Sequence, residues 1–115
     1  MINFTGKLII DKSFYSLRHS NAEKIIEKVK HTIENPFLSD LLKDDIHLSA
    51  KGSAFQDKII IKANNITTPI VSKNEITPTR VINQIFLNFC ADKNIQPRSS
   101  KRKHIIEAIV DYLKK

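Results

Sequence analysis

The chain has 115 residues, the size of a single domain, and a folded chain of that length hides roughly two thirds of the surface its unfolded form exposes. Hydrophobic residues make up 41% and charged residues 27%; these near-average values exclude a disordered chain or a coiled coil, and two glycines and four prolines exclude collagen-like and linker-like chains. A lone cysteine, Cys90, can form no internal disulfide and no Cys-rich zinc site. No apolar run approaches the roughly 20 residues that span a bilayer, and the first residues lack a signal peptide's basic-then-apolar layout, so a cytoplasmic protein with no membrane partner is expected.

The formal net charge is +7, and it is unevenly placed. Positions 1–35 carry six basic and four acidic residues, and positions 36–75 carry five of each. Positions 76–115 carry eight basic residues against three acidic, net +5. Clustered charge is what creates a local field that a polyanion can recognise.

Ile2, Phe4, Gly6, Leu8 and Ile10 alternate with Asn3, Thr5 and Lys7, the period-two pattern of a half-buried strand. Ser20 followed by Glu23 reads as a capping box, and Ala22, Ile25, Ile26, Val29 and Ile33 then trace a helical stripe closed by Asn35 and Pro36. Phe37, Leu38, Leu41 and Leu42 repeat helical spacing and predict a short helix before Asp44 and Asp45. Ile46, Leu48 and Ala50 alternate with polar neighbours, and Ile59 to Ile61 follow a turn containing Gly52. These two runs predict a hairpin. Ile70 and Val71, behind Pro69, fit a short edge strand.

Thr77 and Pro78 read as N-cap and first helical residue of a helix running to about Asn94, with Val81, Ile82, Ile85, Phe86, Phe89 and Cys90 on its apolar face. Ser99 or Ser100 is the expected cap of a last helix that buries Ile105, Ile106, Ile109, Val110 and Leu113. No glycine or proline stops this helix after Lys115, a pattern that the N-terminal domain of a longer protein would also show. The expected fold is one compact α+β domain over residues 1–115. It has a small antiparallel sheet of three or four strands, helices packed on one face, and an αα-hairpin at the end.

Arg98, Lys101, Arg102 and Lys103 fall within six consecutive residues, with Arg80 and Lys93 nearby in sequence. Cations in the first turn of a helix oppose its dipole, at about 0.3–1 kcal/mol each. Sequences tuned only for stability avoid this, and such local conflicts concentrate at functional sites. The six residues are therefore the candidate nucleic-acid contacts, with Arg98 and Arg102 suited to bidentate phosphate recognition. Phe14, Tyr15 and Phe55 are candidate interface aromatics, able to stack on bases or anchor a protein.

The four histidines have no ligand spacing, Cys90 falls on an apolar helical face, and Gly6 and Gly52 are too few for a phosphate loop. No metal, no cofactor and no catalytic residue is expected. Asp44 and Asp45 are accounted for by turn chemistry.

The last two helices, joined by a turn holding Ser99 and Ser100 before a basic start, resemble the helix-turn-helix and SAP-type helix-extended-helix DNA-binding families. They depart from both in having Asn94, Gln96 and Pro97 where those turns use glycine. The resemblance implies DNA binding and transfers no individual residue. Two functions follow from the sequence. The first is a non-enzymatic nucleic-acid-binding module working through the basic terminal helices. The second is a small protein-interaction module, such as an inhibitor, immunity protein or accessory subunit, whose basic face meets an acidic partner. Either is compatible with a homodimer formed by pairing the strand edge at Lys58 to Lys62.

Overall fold

The computed structural model describes residues 7–34, 45–51 and 55–114. Strand β1 (Leu8–Ile10) leads through a 3-10 turn (Lys12–Ser16) to helix α1 (Ala22–Ile33). Strands β2 (Ile46–Ala50), β3 (Asp57–Ala63) and β4 (Ile66–Ser72) follow, and helices α2 (Pro78–Asp92) and α3 (Arg102–Leu113) complete the fold. The expected strand residues Ile2 to Gly6, the predicted helix around Phe37 to Leu42, and Asp44 lie outside the described residues.

The four strands form one sheet in sequence order. The α+β class and the terminal helix pair agree with the sequence reading, but the sheet is mixed. β2, β3 and β4 pair antiparallel, whereas β1 runs parallel to β2 with Leu8 opposite Ile46 and Ile10 opposite Leu48. The cause is connectivity: the chain leaves β1, passes through α1 and re-enters the sheet beside β1, and a crossover of this kind gives parallel neighbours.

Alternation sorts the strands cleanly. Ile46, Leu48 and Ala50 of β2 and Ile59, Ile61 and Ala63 of β3 are buried, and they join the apolar stripes of the three described helices in a single core. The other face carries Ile9, His47, Ser49, Lys58, Ile60, Lys62, Thr67, Pro69 and Val71, none of them in that core. Phe14 belongs to the core at 0% exposure.

The hairpin between β3 and β4 turns on Asn64 and Asn65, with φ of 54° and 65°. Two consecutive left-handed residues are what a two-residue type I′ turn requires, and asparagine tolerates that region better than any other residue but glycine. The turn sets the register Ala63 to Ile66 and extends β4 to seven residues, well beyond the Ile70–Val71 pair expected. Counting outward from the turn, pairs alternate between hydrogen-bonded and non-hydrogen-bonded. Pro69, opposite Ile60, falls on a non-hydrogen-bonded pair, so its missing N–H faces the open edge. β3 is flanked by β2 and β4, so Lys58 to Lys62 has no free edge with which to pair a second copy, contrary to the sequence expectation.

Helix α2 is capped as predicted: Thr77 Oγ1 accepts the Arg80 N–H at 3.3 Å, and Pro78 is the first helical residue. Its far end closes in a Schellman motif. Asn94 sits at φ 57°, Ile95 N–H donates to Cys90 O at 2.8 Å, and Asn94 N–H donates to Ala91 O.

At α1 the cap is Asn21, whose side chain accepts the Lys24 N–H at 3.1 Å, and not Ser20. Ser20 is buried and engaged elsewhere. Its hydroxyl oxygen accepts the Ile76 N–H at 2.7 Å. Asp57, buried as well at 0% exposure, accepts the N–H groups of Arg18 and His19. Burial pushes the Asp57 carboxyl up, but hydrogen bonds from the Ser20 hydroxyl and from the His19, Arg18 and Ser20 N–H groups outweigh it and hold the pKa below the usual carboxylate range. Three segments distant in sequence are thereby tied at one end of the sheet.

Candidate nucleic-acid interface

The connection between α2 and α3 spans nine residues, 93–101, where a helix-turn-helix uses three or four. The two helices touch through Phe89 and Tyr112, whose rings meet edge to face with centroids 6.5 Å apart. Ile105 and Ile109 are the buried anchors of α3. Ile106 and Val110, expected in the core, are only half-buried, and Leu113 is exposed. A helix packed mainly along one neighbour has too narrow a contact to cover the whole predicted stripe.

The N-cap of α3 is Lys101, which makes no side-chain capping bond, and the first turn holds no acidic residue. Neither serine caps the helix. Ser99 Oγ instead accepts the Lys101 N–H at 3.2 Å and lies 2.7 Å from His104 Nδ1, which fixes the approach of the chain into the helix. Arg98, Lys101, Arg102 and Lys103 are all exposed around this start. Among the described residues the one ion pair is Lys93 with Asp92, at 3.7 Å. The four cations therefore carry uncompensated charge beside helical N–H groups that no side chain caps.

The other two sequence candidates stand apart. Lys93 is exposed at the C-cap of α2 and its charge is partly offset by Asp92. Arg80 is exposed in the first turn of α2, thirteen positions before Lys93 and so about 20 Å from it along the helix.

The three aromatic candidates also separate. Phe14 is a core residue and unavailable to any partner. Tyr15 and Phe55 are 60% and 84% exposed. Cys90 is buried, and burial raises its thiol pKa, so it is a core thiol without nucleophilic character. Among the described residues no group of three His, Cys, Asp or Glu side chains gathers as a metal site, and no helix is long and apolar enough to cross a membrane. Compared with known protein families, curated proteins and solved structures, the chain has no match.

Proposed function

We propose that this chain is a non-enzymatic nucleic-acid-binding module that holds phosphates at the start of α3. One observation carries the reading: Arg98, Lys101, Arg102 and Lys103 crowd a helix start where stability favours carboxylates, and no described carboxylate pairs with any of them. A site with four exposed cations and free helical N–H donors is matched to an anionic backbone. Arg98 and Arg102 supply planar, two-pronged contacts, and Lys101 and Lys103 supply point charges. Arg80 and Lys93 add at most long-range attraction.

The test is binding to labelled single- and double-stranded DNA and RNA across a salt series. Four neutralised phosphates give log affinity a slope of about −4 against log salt on duplex DNA. Changing Arg98, Lys101, Arg102 and Lys103 together to Gln flattens that slope and abolishes binding at moderate salt. Affinity indifferent to salt, or equal in the variant, refutes the reading.

A further inference from the structure

The most exposed aromatic side chains in the described structure, Phe55 at 84% and Tyr15 at 60%, come from segments forty residues apart, and the fold brings those segments together. Ser13 Oγ accepts the Ala50 N–H at 3.1 Å, and Arg18 and His19 donate their N–H groups to Asp57 at 3.2–3.3 Å. Ala50 ends β2 and Asp57 opens β3. The segment 13–19 thus bridges the two stems of the β2–β3 connection. Tyr15 lies two residues beyond the first pin and Phe55 two residues before the second, which holds their backbones within roughly 20 Å of each other.

The exposed charge at this rim is predominantly positive. Lys12, Arg18 and Lys51 are exposed, and none makes an ion pair among the described residues. Of the neighbouring carboxylates, Asp57 is fully buried on backbone N–H groups, whereas Asp11 is exposed beside Lys12 and accepts the N–H and hydroxyl of Ser13, so three exposed cations stand against one exposed carboxylate. Exposed rings beside exposed cations match a polymer that alternates flat bases with anionic phosphates. A duplex hides its base faces in the stack and cannot use the rings, whereas a single strand offers both elements.

We infer that the described residues of this rim form a stacking platform for single-stranded nucleic acid, with bases on Tyr15 and Phe55 and phosphates on Lys12, Arg18 and Lys51. The inference rests on the nucleic-acid reading in taking the ligand to be a nucleic acid. It adds a second surface, distinct from the α3 start, that selects the strand state.

The chain contains two tyrosines and no tryptophan, so Tyr112→Phe leaves Tyr15 as the one tyrosine reporter. In that background, titration with oligo(dT) or oligo(U) quenches tyrosine emission in step with anisotropy, and a matched hairpin duplex does not. Y15A/F55A lowers single-strand affinity about tenfold per ring and leaves duplex affinity within twofold. The ring-preserving Y15F/F55Y keeps wild-type affinity, and thermal melting confirms that each variant is folded. Single-strand binding that survives Y15A/F55A, or that leaves Tyr15 emission unchanged, overturns this inference while the α3 reading stands. Absence of binding to any polymer overturns both. Capture of an acidic protein by wild type but not by Y15A/F55A, without polymer binding, reassigns the rim to a protein partner.

Discussion

His19 donates its backbone N–H to both carboxylate oxygens of Asp57, at 3.3 and 3.2 Å, across 38 residues of sequence. Asp57 is thus the acceptor for the whole turn that leads into α1, a role met by a buried carboxylate that makes no ion pair among the described residues. Oriented N–H groups replace a counter-ion there, as they do at helix N-caps.

Replacing Asp57 with Ala removes that acceptor and leaves several N–H groups and the Ser20 hydroxyl without it. The expected loss is about 2–4 kcal/mol, read as a lowered midpoint in urea with unchanged slope. Asp57→Asn loses somewhat less, because one amide oxygen remains to accept.

The same carboxylate governs acid stability. Its pKa is lower in the folded than in the unfolded chain, so its contribution is present above the unfolded value, about 3.9, and disappears as pH falls through the folded value. Wild type loses stability below about pH 4. The Asn variant, having nothing to titrate at this position, shows a shallower decline over the same interval in denaturant titrations at stepped pH.

Asn65 and Asn94 occupy left-handed backbone, at φ 65° and 57°. Changing either to Ala costs about 1 kcal/mol, since a Cβ without a hydrogen-bonding side chain is penalised there. Gly at either position is neutral or slightly stabilising. Melting temperatures of the four variants test the ordering, with both Ala variants below both Gly variants.

Lys101 stands where a capping carboxylate or hydroxyl belongs. Lys101→Asp stabilises the chain by about 1 kcal/mol and weakens polymer binding at the same time. Thermal melts and salt-dependent binding on one preparation reveal this opposition. A variant both less stable and equally tight in binding contradicts the placement of the phosphate site.

Burial and a raised pKa make the Cys90 thiol slow to react. Under native conditions it reacts with a thiol reagent no faster than the chain opens, and at full rate in denaturant.

Periodicity made much of this architecture readable, and for a physical reason. The stripe from Ala22 to Ile33, the alternation in β2 and the Thr77–Pro78 start of α2 each record a local preference that packing reinforced. Where two local signals competed, the sequence was ambiguous. Ser20 and Asn21 are both good caps, and the choice fell to Asn21 because Ser20 is occupied by Asp57 and Ile76, contacts 37 and 56 positions away. The Asn64–Asn65 pair was a legible turn signal that would have yielded the full length of β4. The parallel pairing of β1 was not legible, since strand direction is a property of the crossover and not of either strand.

For the candidate site, composition pointed to the cations but not to their isolation from carboxylates. The three aromatics looked alike in sequence, yet Phe14 turned inward while Tyr15 stayed outside. That division follows from the 3-10 turn, which packs one side of a five-residue segment on β2.

The parallel pairing of β1 with β2 also orders the assembly of the molecule in time. β2, β3 and β4 are linked by short connections and can zip together locally, the last pair across only two residues. β1 meets β2 after 35 intervening residues and, among the described residues, through three paired positions, so its loop-closure entropy is spent late. The N-terminal strand is then the last piece of sheet to dock and the first to let go. Amide exchange at Leu8 to Ile10 runs faster than in the centre of β3 by the ratio that separates a sub-global opening from complete unfolding.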